Sequence, residues 1–137
     1  MDRMHAYQQY ERAWNEPERA AALLAECFMD DGVYADDEVP DGVTGPNALA
    51  DVIVATHAEQ PGFRVWATSS ARMLAGRLAI TWASEGGDPP VRQAGTDVIE
   101  FAPDGRISRI TDVLDLDCPR CSGRATPRVT LLAPAPS

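Results

Sequence analysis

The periodicity of this chain changes once, at Pro61-Gly62, from helical to alternating. Apolar residues recur at three- and four-residue spacing before that point and at every second position after it, so a helical half precedes a stranded half. Tyr7, Tyr10 and Trp14 stand at i, i+3 and i+7 and predict a helix from about Asp2 to Trp14 with one aromatic face. Asn15 and Glu18, with Pro17 between them, read as a capping box opening a second helix, its buried side marked by Ala21, Leu24 and Phe28. Asp30-Asp31-Gly32 reads as a turn, Val33 to Asp36 as a short strand, and the polar stretch from Asp37 to Gly45 as a surface loop placed to act as a rim or lid. Pro46 opens a third helix reaching about Gln60, with Leu49, Val52, Ile53 and Thr56 inward.

After the switch, Phe63 to Leu74, Arg77 to Glu85, Val91 to Phe101 and Arg106 to Asp115 read as strands of an antiparallel meander. Helices followed by hairpins predict an α+β fold: a cone-shaped barrel of curved antiparallel sheet with the three N-terminal helices packed on its concave side. Leu78, Ile80, Trp82, Ile99, Phe101, Ile110 and Leu114 would line the cone. One domain is expected over residues 1–117, with a Pro-rich tail over 118–137.

Two residues violate the stranded pattern. Asp97 shares its face with Ile99 and Phe101, and Asp112 shares its face with Ile110 and Leu114. A carboxylate on an apolar face must keep its proton or find a partner, because its hydration is lost on burial. Two such acids on the inner face of one sheet point to general acid/base chemistry in an enclosed cavity. The alternative is structural: Asp97 paired with a buried Arg or capped by backbone N–H groups, and Asp112 paired with Arg109 or Arg92 near the strand end.

Composition removes other chemistries. The net charge of −9 argues against a nucleic acid or an anionic membrane as partner, and no apolar run approaches the ~18 residues of a membrane span. All 12 basic residues are Arg, so a Schiff-base lysine, a pyridoxal phosphate anchor and a P-loop are excluded. His5 and His57 are the only histidines, and neither metal nor organic cofactor is expected. Cys27, Cys118 and Cys121 make an odd count, and the polar start lacks the apolar core of a secretory leader, so a cytoplasmic protein with reduced thiols is expected. Cys118-Pro119-Arg120-Cys121 lacks the second CxxC of a zinc ribbon and is assigned to the tail.

The order of elements and three motifs resemble the nuclear transport factor 2-like superfamily, in particular its ketosteroid isomerase and SnoaL-like polyketide cyclase branches. The motifs are Tyr10-x-x-x-Trp14-Asn15, Asp30-Asp31-Gly32-Val33-Tyr34-Ala35-Asp36, and Thr96-Asp97-Val98-Ile99-Glu100-Phe101 running on to Asp104-Gly105-Arg106-Ile107. By resemblance, Asp36 matches the general base of the isomerases, Asp97 their enolate-binding neutral acid, and Tyr10 its phenol partner; a protonated carboxyl of this kind is the known example among ketosteroid isomerases. Asp112 is similar to the acid/base aspartate of the cyclases and to one acid of the limonene epoxide hydrolases. The hydrolases also carry Arg-x-Asp on the strand that here reads Ile80-Thr81-Trp82-Ala83-Ser84, so their triad is incomplete.

The expectation is therefore an isomerase or cyclase acting next to a carbonyl in a hydrophobic, polyketide- or steroid-like small molecule. Asp97, Asp112, Asp36 and Tyr10 would be catalytic, with Trp14, His57, Trp82 and Phe101 binding the substrate. The competing class is a non-catalytic small-molecule-binding or dimeric interaction module on the same fold. A homodimer fits either class, with Trp66 on the outer sheet face as the candidate contact.

Overall fold

Asp2 fixes where the first helix begins. Its carboxylate accepts the Met4 backbone N–H at 2.7 Å, and α1 runs Arg3–Asn15 in the computed structural model, which describes residues 1–115. The expected tail over 118–137, with Cys118 and Cys121, lies outside the described residues. The aromatic stripe is real: Tyr7, Tyr10 and Trp14 are all buried.

Asn15 does not cap the next helix. Its side-chain amide donates to the Val65 carbonyl and accepts from the Val65 N–H, both at 2.8 Å, so it acts as an extra rung on a sheet edge. A 3-10 turn, Pro17–Arg19, follows, and α2 spans Ala20–Cys27 with no side-chain cap. The turn rotates the buried face to Ala20, Leu23, Leu24 and Cys27, leaving Ala21 exposed and passing Phe28 to the first strand. Gln9 ties the two helices, its Nε2 donating to the Leu23 carbonyl at 3.0 Å and to Glu26 at 2.7 Å.

The first strand, β1, runs Phe28–Ala35 and contains Asp30-Asp31-Gly32, which was expected to be a turn. The segment is a bulge within the strand, marked by a register shift between Phe28 and Val33. Gly32 is needed there, since a Cβ would come within 2.7 Å of the Phe28 ring. β2 (Val43–Thr44) pairs back onto β1, and α3 (Pro46–Glu59) starts after Gly45, whose φ of 91° suits glycine.

The expected strand Phe63 to Leu74 is split into β3 (Arg64–Ala67) and β4 (Arg72–Leu74). Between them the Ser69 hydroxyl accepts the Thr81 N–H at 3.0 Å, so a side chain replaces a backbone rung. β5 (Arg77–Gly86), β6 (Val91–Phe101) and β7 (Ile107–Leu114) complete a curved, unclosed sheet in the order β2-β1-β7-β6-β5-β3, with β4 also paired to β5. The α+β class stands, with one difference. β1 lies parallel to β7, so the sheet is mixed. Strand alternation has the same period in either direction and carries no sign of it.

Leu24, Leu49 and Ile53 from the helices and Phe28, Tyr34, Leu78, Ile99, Ile107 and Ile110 from the sheet form the core. On the outer face, Trp66 is half-buried between guanidinium groups, with Arg64 at 5.7 Å and Arg92 at 5.8 Å from its ring. It is therefore not the bare apolar contact expected for pairing. No helix among the described residues is long and apolar enough to cross a membrane.

The Asn15 rung holds the end of α1 against β3, and with it the position of Trp14. Asn15→Ala removes both hydrogen bonds and should lower stability by about 1 to 2 kcal/mol in urea unfolding. An unchanged midpoint would show that the rung contributes nothing.

Candidate active site

Directly opposed residues in an antiparallel pair share a face, and here Ile80 opposes Asp97 while Asp97 opposes Asp112. The two acids therefore stand side by side. One step along, Gly95 lies between Trp82 and Leu114, and two steps further along β5 and β6 Ser84 opposes Gln93 on the same face. Over this floor α1 lays Tyr7, Tyr10, Glu11 and Trp14; β1 and the loop after it add Tyr34, Asp36, Asp37 and Glu38. Together with residues from the end of α3 and from Phe63 to Val65 they enclose a cavity of about 100 Å³.

Gly95 makes room for the floor. A Cβ there would collide with the Val113 carbonyl and come within 2.6 Å of the Trp82 indole, so only glycine admits the indole at this place. Among the described residues neither the indole N–H of Trp82 nor Oδ1 of Asp97 or of Asp112 makes a hydrogen bond of good geometry, although the indole lies near enough to Asp112 to favour its ionised form. Asp97 is 5% exposed and Trp82 7%, so these are buried polar atoms facing the cavity. Asp112 as a whole is partly exposed, but its Oδ1 is enclosed.

Asp36 is differently placed. Its Oδ1 accepts the Glu38 and Val39 backbone N–H groups at 2.8 and 2.9 Å, and its Oδ2 accepts the Tyr34 hydroxyl at 2.7 Å. That hydroxyl also lies 3.4 Å from Oδ2 of Asp112, so Tyr34 bridges the two acids. Opposite, the Tyr7 hydroxyl donates to Glu11 at 3.3 Å.

Burial is the first cause that raises the Asp97 carboxyl well above the usual carboxylate range, followed by the charges of Asp112 and Glu11. Asp112 is pushed up to about 8 by burial and then by Asp36, against the pull of the Tyr34 hydroxyl and the neighbouring indole of Trp82. Glu11 is raised as well, again mainly by burial. Two adjacent desolvated carboxyls titrate as a pair, and near neutral pH the pair retains a proton. The phenols of Tyr7, Tyr10 and Tyr34 are all raised by burial first and so remain hydrogen-bond donors.

Of the residues picked out in the sequence, Asp97, Asp112, Asp36, Tyr10, Trp14 and Trp82 line the cavity. His57 and Phe101 stand outside its lining. His57 is occupied at the end of α1, its Nε2 at 2.7 Å from the Trp14 carbonyl and its ring edge-on to Phe63. Phe101 keeps its inward parity, since the bulge beside it adds Ser108 to β7 and not a residue to β6, but it lies further along the strand, where it packs on the core opposite Ile107 and under the Arg3 guanidinium at 5.4 Å. Arg92 pairs with Glu85 at 2.7 Å and Arg109 is exposed, so the expected alternative partners of the acids do not reach them. Glu11 was missed, although it completes the i, i+3, i+4, i+7 stripe of Tyr7, Tyr10 and Trp14. Among the described residues no group of three His, Cys, Asp or Glu side chains is arranged to hold a metal ion.

No family model and no curated protein sequence matches the chain. Solved structures match its fold. A protein of the SnoaL-like family from Agrobacterium tumefaciens superposes with a TM-score of 0.71 at 23% identity, covering 82% of this chain and 97% of its own. A Catenulispora acidiphila protein with a ketosteroid isomerase-like fold, solved with trimethylamine, gives 0.65 at 18% identity over 78% and 82% of the two chains. An NTF2-like protein from Exiguobacterium gives 0.66 at 15% identity over 80% and 98%. The chain thus has the nuclear transport factor 2-like α+β fold, in the form shared by SnoaL-like and ketosteroid isomerase-like proteins.

The raised acids have a stability signature. The folded protein keeps protons that the unfolded chain releases near its ordinary carboxyl value of 3.8, so stability should fall as pH rises from there to about 8. The slope is at most about 1.4 kcal/mol per pH unit for each proton retained. Asp112→Asn should match the wild type near pH 4 and exceed it in urea unfolding at pH 8. A variant no more stable than wild type at pH 8 would contradict the raised carboxyl.

Proposed function

We propose that the protein is an acid/base catalyst, an isomerase or cyclase that moves a proton next to a carbonyl in a hydrophobic small molecule. The observation that supports this most is the opposed pair Asp97 and Asp112, each with an oxygen unpartnered among the described residues and facing one cavity that no described Arg or His lines. Asp97, the more deeply buried, keeps its proton and donates a hydrogen bond to the carbonyl oxygen, with the Tyr10 phenol as second donor. Asp112, with its value near the working pH, takes the proton from the adjacent carbon, leaving an enolate. Asp36 supports it through the Tyr34 hydroxyl that lies between them. Returning the proton to a different carbon isomerises the substrate; attack of the enolate carbon on a second carbonyl closes a ring.

Size narrows the substrate. The cavity of about 100 Å³ is smaller than an engineered cavity of about 150 Å³ that accepts benzene. It therefore holds a small carbonyl compound or the reacting end of a polyketide-like one, the remainder passing between Asp37 and Glu38, which are exposed at the mouth.

Hydrogen exchange tests the reaction without knowledge of the natural substrate. Acetone in D₂O should lose its hydrogens faster with the protein than in buffer, as followed by proton NMR. Proton transfer of this kind is worth ~10² to 10⁴ in rate, so Asp97→Asn or Asp112→Asn should slow exchange at least a hundredfold in a folded protein. Equal rates in wild type and both variants would overturn the reading. Binding of the ketone without exchange would leave a binding module.

A further inference from the structure

The lining of the cavity has one sign of charge. Among the described residues Glu11, Asp36, Asp37, Glu38, Asp97 and Asp112 all contribute, while no Arg or His does, and the chain has no Lys. Two backbone amides and the Tyr34 hydroxyl stabilise Asp36, and water reaches Asp37 and Glu38, but Asp97 and Asp112 repel each other in a poorly hydrated space with no described cation beside them. A guest of positive charge would relieve that repulsion; a neutral guest leaves it, and an anion adds to it.

A second observation is independent of the acidity. The enclosing walls are aromatic, with Tyr7, Tyr10, Trp14, Tyr34 and Trp82 arrayed around the acids. Ring faces attract an organic cation, and more strongly where water is excluded. The unpartnered Oδ1 of Asp97, in a residue only 5% exposed, aims an acceptor into the same space. The small volume suits a compact cationic headgroup rather than a fused-ring body.

We propose that the molecule bound here is a small organic amine, its ammonium group held among the carboxyls of Glu11, Asp97 and Asp112 and the rings of Tyr10 and Trp14. The proposal rests on the preceding reading for the place of the site alone: an ammonium seated beside Asp97 and Asp112 occupies the position which that reading gives to the carbonyl, so this guest is bound rather than turned over. It does not require the proton-transfer step.

Binding should be linked to protons. Asp97 is faced by Tyr7, Tyr10 and Glu11 from α1 and by Asp112 from β7; Asp112 is faced by Asp36, Asp37 and Tyr34 from β1 and its loop, by Tyr10, and by Trp82 from β5. None of these neighbours is cationic. An ammonium guest therefore favours the ionised carboxyls and displaces protons, so its affinity rises as pH increases toward about 8.

Three compact probes of different charge decide the matter: isopropylammonium, acetone and isobutyrate, titrated calorimetrically into the full chain at equal ionic strength. The ammonium should bind at least tenfold more tightly than the ketone at pH 7, and more tightly at pH 8 than at pH 6, with no binding of the carboxylate. Glu11→Gln, checked for folding by circular dichroism, should weaken the ammonium at least fivefold and change the ketone by less than twofold. Ketone or carboxylate binding as tight as the ammonium overturns the proposal on the wild-type protein alone. Ketone exchange without ammonium preference would sink this proposal and keep the acid/base reading; ammonium preference without exchange would do the reverse.

Discussion

Pairing β6 with β7 in the register that sets Asp97 against Asp112 places two carboxyls side by side on the face that carries Ile80, Ile99 and Ile110. Interior faces of sheets ordinarily exclude such a pair, because each acid loses hydration and raises the cost of ionising the other. A slip of one residue between the two strands would turn one of the acids outward, but with it would go Ile99 or Ile110, both fully buried. The hydrophobic core thus holds the acids in place. Local conflict of this kind, enforced by the rest of the fold, is characteristic of functional sites.

The surrounding residues follow from that constraint. Gly95 admits the Trp82 indole, and the Asn15 rung fixes the end of α1, from which Tyr10 and Trp14 roof the acids. The Asp36 carboxylate, bound by two backbone amides, pins the loop that brings Asp37 and Glu38 to the rim. The buried acids cost stability inside the cavity, and the contacts around it recover it.

Much of this was legible in the chain. Helical and alternating periods located all three helices and the three long strands, and parity alone placed Asp97 and Asp112 inward. The signal failed where side chains take over backbone roles. Asn15 looks like a helix cap in one dimension and is a sheet rung in three; Ser69 interrupts a strand by satisfying its neighbour. The Asp30-Asp31-Gly32 segment carries the residues of a turn and is a bulge inside a strand, while parity set Phe101 inward without saying how far along β6 the cavity ends. The parallel approach of β1 to β7 has no local signature, so the wall formed by Tyr34 and its link to Asp112 could not be read from spacing. Glu11 could have been found, since it lies within the aromatic stripe.

That parallel strand pair also orders events during synthesis. Tyr34 and Asp112 are 78 positions apart, and β7 is the last described strand to leave the ribosome. Until it arrives, α1 has α2 and β3 to lie against, but the edge of β1 that faces β7 stays unpaired, and closing so long a loop is slow. The nascent chain consequently carries an open strand edge bearing Tyr34 until nearly all of the described residues are made, which marks that edge as the segment a chaperone would shield.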